Sequence, residues 1–264
     1  MNIKVFGAHE QGFGMFDGGK IVEQKPIAFP HEDTAVSRVG PLFYWAWGFS
    51  NGGGLLPFHP HQAFEIMSYM IEGNVTHKDT LGTESTVGAG GAQVMQTGTG
   101  MYHEESSFGD HIEGFQIWFE PNLQESVKMQ PTYRQFEHHD FPLSQIEGSE
   151  VKTIIGDDSP VTLITDAKMW DIKQEQNSSY RRILPAGYSW ALLVIRGNGQ
   201  LTALSSDQVT TLLHKDFAVI ESDVDTELIF KAQAESTRII IIEVPTETPY
   251  RLYPKKHTQW RNSK

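Results

Sequence analysis

No cysteine occurs among the 264 residues. That absence excludes a disulfide framework, a thiolate nucleophile and any zinc or iron–sulfur site built on Cys ligands. Long apolar runs are missing as well, so no segment reads as a bilayer-spanning helix, and residues 1–7 lack the apolar core of a cleavable leader. The cytoplasm is therefore the expected compartment. Basic residues are scarce: 21 Lys and Arg stand against 33 Asp and Glu, a formal charge of −12. Such a surface repels phosphate backbones, which argues against nucleic acid as a direct partner. The one locally basic stretch, residues 254–264 with Lys255, Lys256, Arg261 and Lys264, reads as a solvated tail. A Ser-His-Asp order and a nucleotide-binding glycine loop are also lacking. Gly52-Gly53-Gly54 precedes a histidine pair and not a helix, so it reads as a turn, and Gly98-Thr99-Gly100 has no strand-to-helix context.

What is present is the vocabulary of short strands. Gly (24), Pro (13) and an aromatic content of 11% punctuate apolar runs at 43–49, 63–71, 93–95 and 115–119, and again at 161–165, 190–195, 217–220, 227–230 and 239–244. No apolar stripe runs long at helical spacing; residues 124–129 and 133–138 are the candidate short helical pieces. The expected class is all-β.

An internal similarity divides the chain. Tyr69-Met70-Ile71-Glu72-Gly73-Asn74 lines up with Leu193-Val194-Ile195-Arg196-Gly197-Asn198, and Gly91-Ala92-Gln93-Val94-Met95 lines up with Asp216-Phe217-Ala218-Val219-Ile220. Two matches in the same order indicate a duplicated β-domain. Pro, Gly, Ser and acidic residues concentrate at 137–159, which gives expected domains at 1–137 and 138–264.

The histidines carry the chemistry. In an extended segment, alternate side chains share a face, so His59, His61, Ala63 and Glu65 point one way, and Met101, His103 and Glu105 form a second alternating set. If the second strand neighbours the first, three imidazoles and a carboxylate meet. Neutral imidazole and carboxylate suit iron(II), manganese, nickel, copper or zinc, whereas magnesium and calcium prefer oxygen alone. Such a donor set leaves coordination positions for water, dioxygen or a chelating substrate. Parity does not choose between Glu65 and Glu105. His77 reads as a hydrogen-bonding residue in a turn after the strand, His111 as a loop residue, and His138-His139 as a surface pair.

These motifs resemble a known family. His59-Pro60-His61-Gln62-Ala63-Phe64-Glu65, then Glu72-Gly73, His77-Lys78-Asp79 and Gly98-Thr99-Gly100-Met101-Tyr102-His103-Glu104-Glu105, together look like the signature of pirins. The resemblance implies two jelly-roll β-barrels of the cupin type in one chain. It also implies an iron(II) in the N-terminal barrel held by His59, His61, His103 and Glu105, with zinc, nickel, manganese or copper able to use the same donors. The sequence departs from the pirin pattern at Gln62 and Ala63, where Arg and Gly are common. Carried onto the second half by the internal alignment, His59, His61 and His103 fall at Ile183, Pro185 and about Leu228, which do not ligate metals. The C-terminal barrel is therefore expected without a site.

Two functions follow from the resemblance. One is oxygenation of a small aromatic substrate, a flavonol such as quercetin, with dioxygen, in the manner of quercetin 2,3-dioxygenases. Glu105 is then the candidate base, Glu65 the alternative, and Phe58, Phe64, Phe115 and Trp118 the candidate walls. The other is an iron-dependent, redox-sensing regulator that binds a partner protein without turnover. Two covalently joined barrels bury their shared face, so a monomer is expected.

Overall fold

The computed structural model describes residues 1–204 and 208–254; the basic residues of the tail lie outside the described residues. The chain is almost entirely β-strand and folds as two compact units. Among the described residues no helix is long and apolar enough to cross a membrane.

The first unit comprises Gln11–Asp140, Leu163–Thr165 and, among the described residues, 249–254. Its sheet runs in the order Thr132–Phe136, Ala92–Gln96, Glu65–Asp79, Met101–Phe119, Leu42–Asn51, Ile21–Ile27, Gly12–Phe16. Gly54–His61 adds to Met101–Phe119, and Glu84–Val87 adds to Glu65–Asp79. The two long strands bend together. The pairing slips at Met70/Glu72 and at Glu72/Asn74, and Gly73 sits there with φ 76°. A Cβ at Gly73 would stand 2.7 Å from the His111 carbonyl oxygen, so only glycine allows this crossing.

The second unit comprises Met1–Glu10, Phe141–Thr162 and Asp166–Thr248. Its larger sheet runs Asn2–Phe6, Phe217–Glu221, Tyr188–Arg196, Ser236–Pro245, Lys168–Glu175, Ser149–Ile155, Leu143–Ile146, and a smaller one runs Ser179–Leu184, Thr226–Ala232, Gly199–Ala203, Val209–Leu212. Trp170, Ile172, Trp190, Leu192, Leu228 and Phe230 fill its core. Each such side chain taken fully from water stabilises the fold by about 1.5–3 kcal/mol.

The internal repeat is written into the hydrogen bonds. Met70 N–H donates to Gly91 O at 3.0 Å and Gly90 N–H to Met70 O at 2.8 Å; Val194 N–H donates to Asp216 O at 3.0 Å and Lys215 N–H to Val194 O at 2.8 Å. The bulge recurs too, with a register shift between Val194 and Arg196 and Gly197 at φ 69°. A strand, a bulge, a left-handed glycine and a returning strand are built twice.

Several local expectations need correction. The cut between the units falls at Asp140/Phe141, but Met1–Glu10 belongs to the second unit because Asn2–Phe6 pairs with Phe217–Glu221. Residues 133–138 are not helical: Thr132–Phe136 is an edge strand paired with Ala92–Gln96, as its Tyr and Phe favour. The short helix is Leu123–Ser126, N-capped by Asn122, whose Oδ1 accepts from Gln124 N–H at 3.2 Å. His111 lies within the Met101–Phe119 strand and bonds Asn51 at 3.0 Å. Residues 161–165 form no strand, because the Ile164 and Thr165 N–H groups go to a side chain, Glu65.

Ala63 is a non-glycine residue at φ 70° and is buried. An L-residue there costs about 1–2 kcal/mol, against which glycine loses about 0.5–1 kcal/mol through its freer unfolded chain. Ala63→Gly is expected to raise the unfolding free energy by up to about 1 kcal/mol, read as a higher denaturation midpoint at unchanged slope.

Candidate metal centre

The site begins with a register. Gly54–His61 runs antiparallel to the first half of Met101–Phe119, with His59 opposite His103 and His61 opposite Met101. Residues directly opposite share a face and side chains alternate along a strand, so His59, His61 and His103 converge. Burial follows the same period: Met101, His103 and Glu105 are buried, and Tyr102 is exposed. Ring centroids stand 4.4 Å apart for His59–His103, 4.8 Å for His59–His61 and 4.9 Å for His61–His103. One nitrogen from each ring lies within 4.8 Å of the others.

The protonation of these rings suits a metal. His59 Nδ1 donates to the Pro57 carbonyl at 2.8 Å, which leaves its Nε2 with the lone pair. Burial lowers His61 to a pKa of about 4, with nearby His59 adding to it, and lowers His103 to about 2, with His59, His61 and His77 adding. Both stay neutral, the ligand form of imidazole. The Nε2 atoms of His61 and His103 are buried without a hydrogen-bond partner. Buried polar atoms left without partners are rare and call for an explanation such as an ion. Donors of this type, number and spacing fit a divalent transition metal.

Glu105 joins in a second cluster that shares His103. A carboxylate oxygen of Glu105, one nitrogen of His77 and one of His103 form a second cluster within 4.8 Å. Its Oε1 accepts from Ser68 Oγ at 3.1 Å and from the Gln93 amide, and its Oε2 accepts from Gln116 Nε2 at 2.9 Å. Burial pushes the Glu105 carboxyl above the usual carboxylate range, while His77 and the bonds from Ser68 and Gln93 pull it back. Glu105, Ser68, Gln116, Phe49, Met70 and Phe115 border a recess of about 90 Å³.

Glu65 is not brought to the histidines. The parity argument needs one unbroken strand, but Gly54–His61 ends at 61, Glu65–Asp79 starts at 65, and Ala63 between them has a left-handed backbone. Glu65 Oε1 accepts from Gln96 Nε2 at 2.9 Å and Ile164 N–H at 2.6 Å, and Oε2 from Thr165 N–H at 2.8 Å. It fastens a remote loop. Of the expected walls, Phe115 borders the recess, Phe64 and Trp118 line a separate one with Phe29 and Phe43, and Phe58 is exposed. Trp118 meets His61 edge-on at 4.8 Å.

His77 is in the strand and not in a turn. It is fully buried, bonds Asp79 at 2.8 Å and stands 3.4 Å from His103, nitrogen to nitrogen. Ser68, Gln93 and Gln116 were not foreseen; their signal is a polar residue at an inward position of an otherwise apolar strand.

Comparison with known proteins agrees with this geometry. The family profile described as Pirin matches residues 49–119, which hold all of these donors. Residues 49–119 thus match a pirin domain. Pirin-1 of Arabidopsis thaliana is 32% identical over 170 residues, covering 62% of this chain and 58% of that protein. The chain spans about half the length of the curated pirins it matches. Among solved structures, bacterial pirin YhhW of Escherichia coli in complex with nickel(II) superposes with a TM-score of 0.74 at 20% identity, covering 92% of this chain and 99% of that one. Quercetin 2,3-dioxygenase of Acinetobacter baumannii gives a TM-score of 0.77 at 20% identity, covering 96% of this chain and 82% of that one. These structures share the two-barrel cupin fold with the pirin domain and the unit that follows it.

Two outcomes test the site. Between about pH 6.5 and 4, unfolded chains bind protons at His61 and His103 positions that the folded protein keeps neutral, so stability falls on acidification. Metal-free protein is expected to lose stability across that window, and His103→Leu to flatten the slope, both read in denaturant titrations. Glu65→Gln should lower stability by about 3 kcal/mol, since it disturbs charge-assisted bonds to two backbone donors, yet leave metal stoichiometry unchanged by elemental analysis.

Proposed function

We propose that the chain is a mononuclear metal protein of the pirin type that oxygenates a flavonol-like phenolic substrate with dioxygen, its metal iron(II) held by His59, His61, His103 and Glu105, in the cytoplasm. What carries this reading is the pair of buried, partnerless Nε2 atoms on His61 and His103 within a ring of three imidazoles. The cupin fold that it shares with a quercetin 2,3-dioxygenase adds support.

A metal bound there would lower the pKa of a coordinated phenol and bring substrate and dioxygen together. The rest falls to the protein. His61 and His103 supply neutral donors, and His59 offers its Nε2. Glu105 would be the fourth donor and would accept the phenolic proton; burial raises its proton affinity, which suits it to that task. Gln93, Gln116 and Ser68 keep its carboxylate aligned. Phe49, Met70 and Phe115 give the recess beside Glu105 apolar walls.

A partner-binding reading draws on Phe58 and Tyr102, which stand exposed beside the histidine pair and His103. The two readings separate in one assay. Purified protein supplied with iron(II) is followed for quercetin absorbance and oxygen uptake. His59→Ala and His103→Ala should lose both metal and turnover. Glu105→Gln should retain most of the metal and lose turnover by about 10²-fold or more, as expected for a missing general base. Stoichiometric iron with no turnover of any flavonol would sink the oxygenase reading and leave the regulator.

A further inference from the structure

We propose that Asp79 and His77 are positioning residues that set the tautomer of His103, so that its Nε2 bears the lone pair a metal needs. This rests on the metal reading above.

Asp79 ends the Glu65–Asp79 strand opposite His103, and His77 lies opposite Glu105. Both are buried. Asp79 Oδ1 is fully engaged, accepting the N–H groups of Leu81 at 2.8 Å and Thr83 at 3.0 Å. Its Oδ2 lies 2.8 Å from His77 Nε2. A carboxylate only accepts, so His77 Nε2 carries the proton and its Nδ1 the lone pair. That Nδ1 faces His103 Nδ1 at 3.4 Å, and one of the two must donate. Only His103 can, which leaves His103 Nε2 bare. That atom is buried and unpartnered. A doubly protonated His77 would reverse the last bond and bury a His103 N–H with no acceptor, so the neutral order alone leaves no N–H of the relay without an acceptor.

The relay is held in plane. The Tyr133 ring stacks on His77 at 4.2 Å and 19°. The same tyrosine donates to Gln93 Oε1 at 3.1 Å, and the Gln93 amide donates to Glu105. One aromatic residue thus steadies the positioning imidazole of His77 and the carboxylate together. Partners that fix a ligand's ring and tautomer typically change metal affinity by about 10–100-fold when altered.

Asp79→Asn is the decisive variant. The Leu81 and Thr83 N–H groups need an acceptor, so the side-chain oxygen of the new residue stays at the Oδ1 place and its NH₂ turns to His77. His77 Nε2 must then accept, its Nδ1 becomes the donor, and His103 is driven to the Nε2–H tautomer. Charge is lost but shape is kept.

The first measurement is imidazole ¹⁵N chemical shifts of histidine-labelled, metal-free protein. Wild type should show His103 protonated at Nδ1 and bare at Nε2; Asp79→Asn should show the reverse. The second is cobalt(II) affinity by chelator competition, expected to fall about 10–100-fold in Asp79→Asn and in His77→Phe, which keeps a ring on Tyr133. Wild-type His103 protonated at Nε2 overturns the proposal on its own, even if the variants fail to fold. So does an unchanged tautomer in Asp79→Asn, or unchanged affinity beside a reversed tautomer. Complete loss of cobalt at saturation in His77→Phe makes His77 a ligand and also overturns it. Tautomers as expected with no cobalt bound by wild type would refute the metal reading and leave the relay standing.

Discussion

The pairing that sets His59 opposite His103 governs everything around it. A strand's side chains alternate with a period of two, so a slip of one residue would turn His59, His61 and His103 outward and expose Met101 in the bargain. The register is held by burial on one face only: Met101, His103 and Glu105 are inside while Tyr102 lies in solvent. The neighbouring strand adds a second constraint, for Asp79 stands opposite His103 and His77 opposite Glu105. Two strands must therefore agree in register for the three imidazoles to meet, and a third to bring His77 and Asp79 beside them. The site is a property of the sheet and not of a motif.

The duplicated architecture shows what the site costs. In the first unit Ser68 lies opposite Gln93, and in the second Leu192 lies opposite Ala218 at the same place in the repeat. Leu192 and Ala218 pack into an apolar core. Ser68 and Gln93 hold the Glu105 carboxylate. The same bulge and the same left-handed glycine carry both pairs. One barrel spends those inward positions on stability. The other gives up apolar burial, about 2 kcal/mol per side chain, and keeps a polar network whose every member is bonded.

How much of this is legible before folding depends on range. The His59-Pro60-His61 and His103/Glu105 parities are local and survive, because a strand transmits its period with little outside help. Glu65 fails for a non-local reason. Three residues of irregular backbone around Ala63 separate it from His61, and the Ile164 and Thr165 N–H groups, about a hundred positions away, claim its oxygens. Asn2–Phe6 likewise finds its partner at Phe217–Glu221, which no pattern near the N-terminus announces. His77 reads as a hydrogen-bonding residue from its neighbour Asp79, and so it is; that its other nitrogen meets His103 needs the sheet.

Charge explains why these groups belong together. Burial penalises any charged form, and here it acts on acid and base in opposite senses: it lowers the proton affinity of His61 and His103 and raises that of Glu105. A dication changes the balance at every position. It uses lone pairs that burial has already freed, and it supplies the positive charge that lets Glu105 remain a carboxylate inside an apolar barrel. Asp79, fixed by two backbone donors and joined to His77, extends the same logic outward: its negative charge is compensated at the rim, and its only effect inward is the direction in which the hydrogen bonds of His77 and His103 run. The pocket is thus ordered by proton placement before any ion arrives, which is why a substitution that reverses one hydrogen bond at residue 79 should be felt at an atom two rings away.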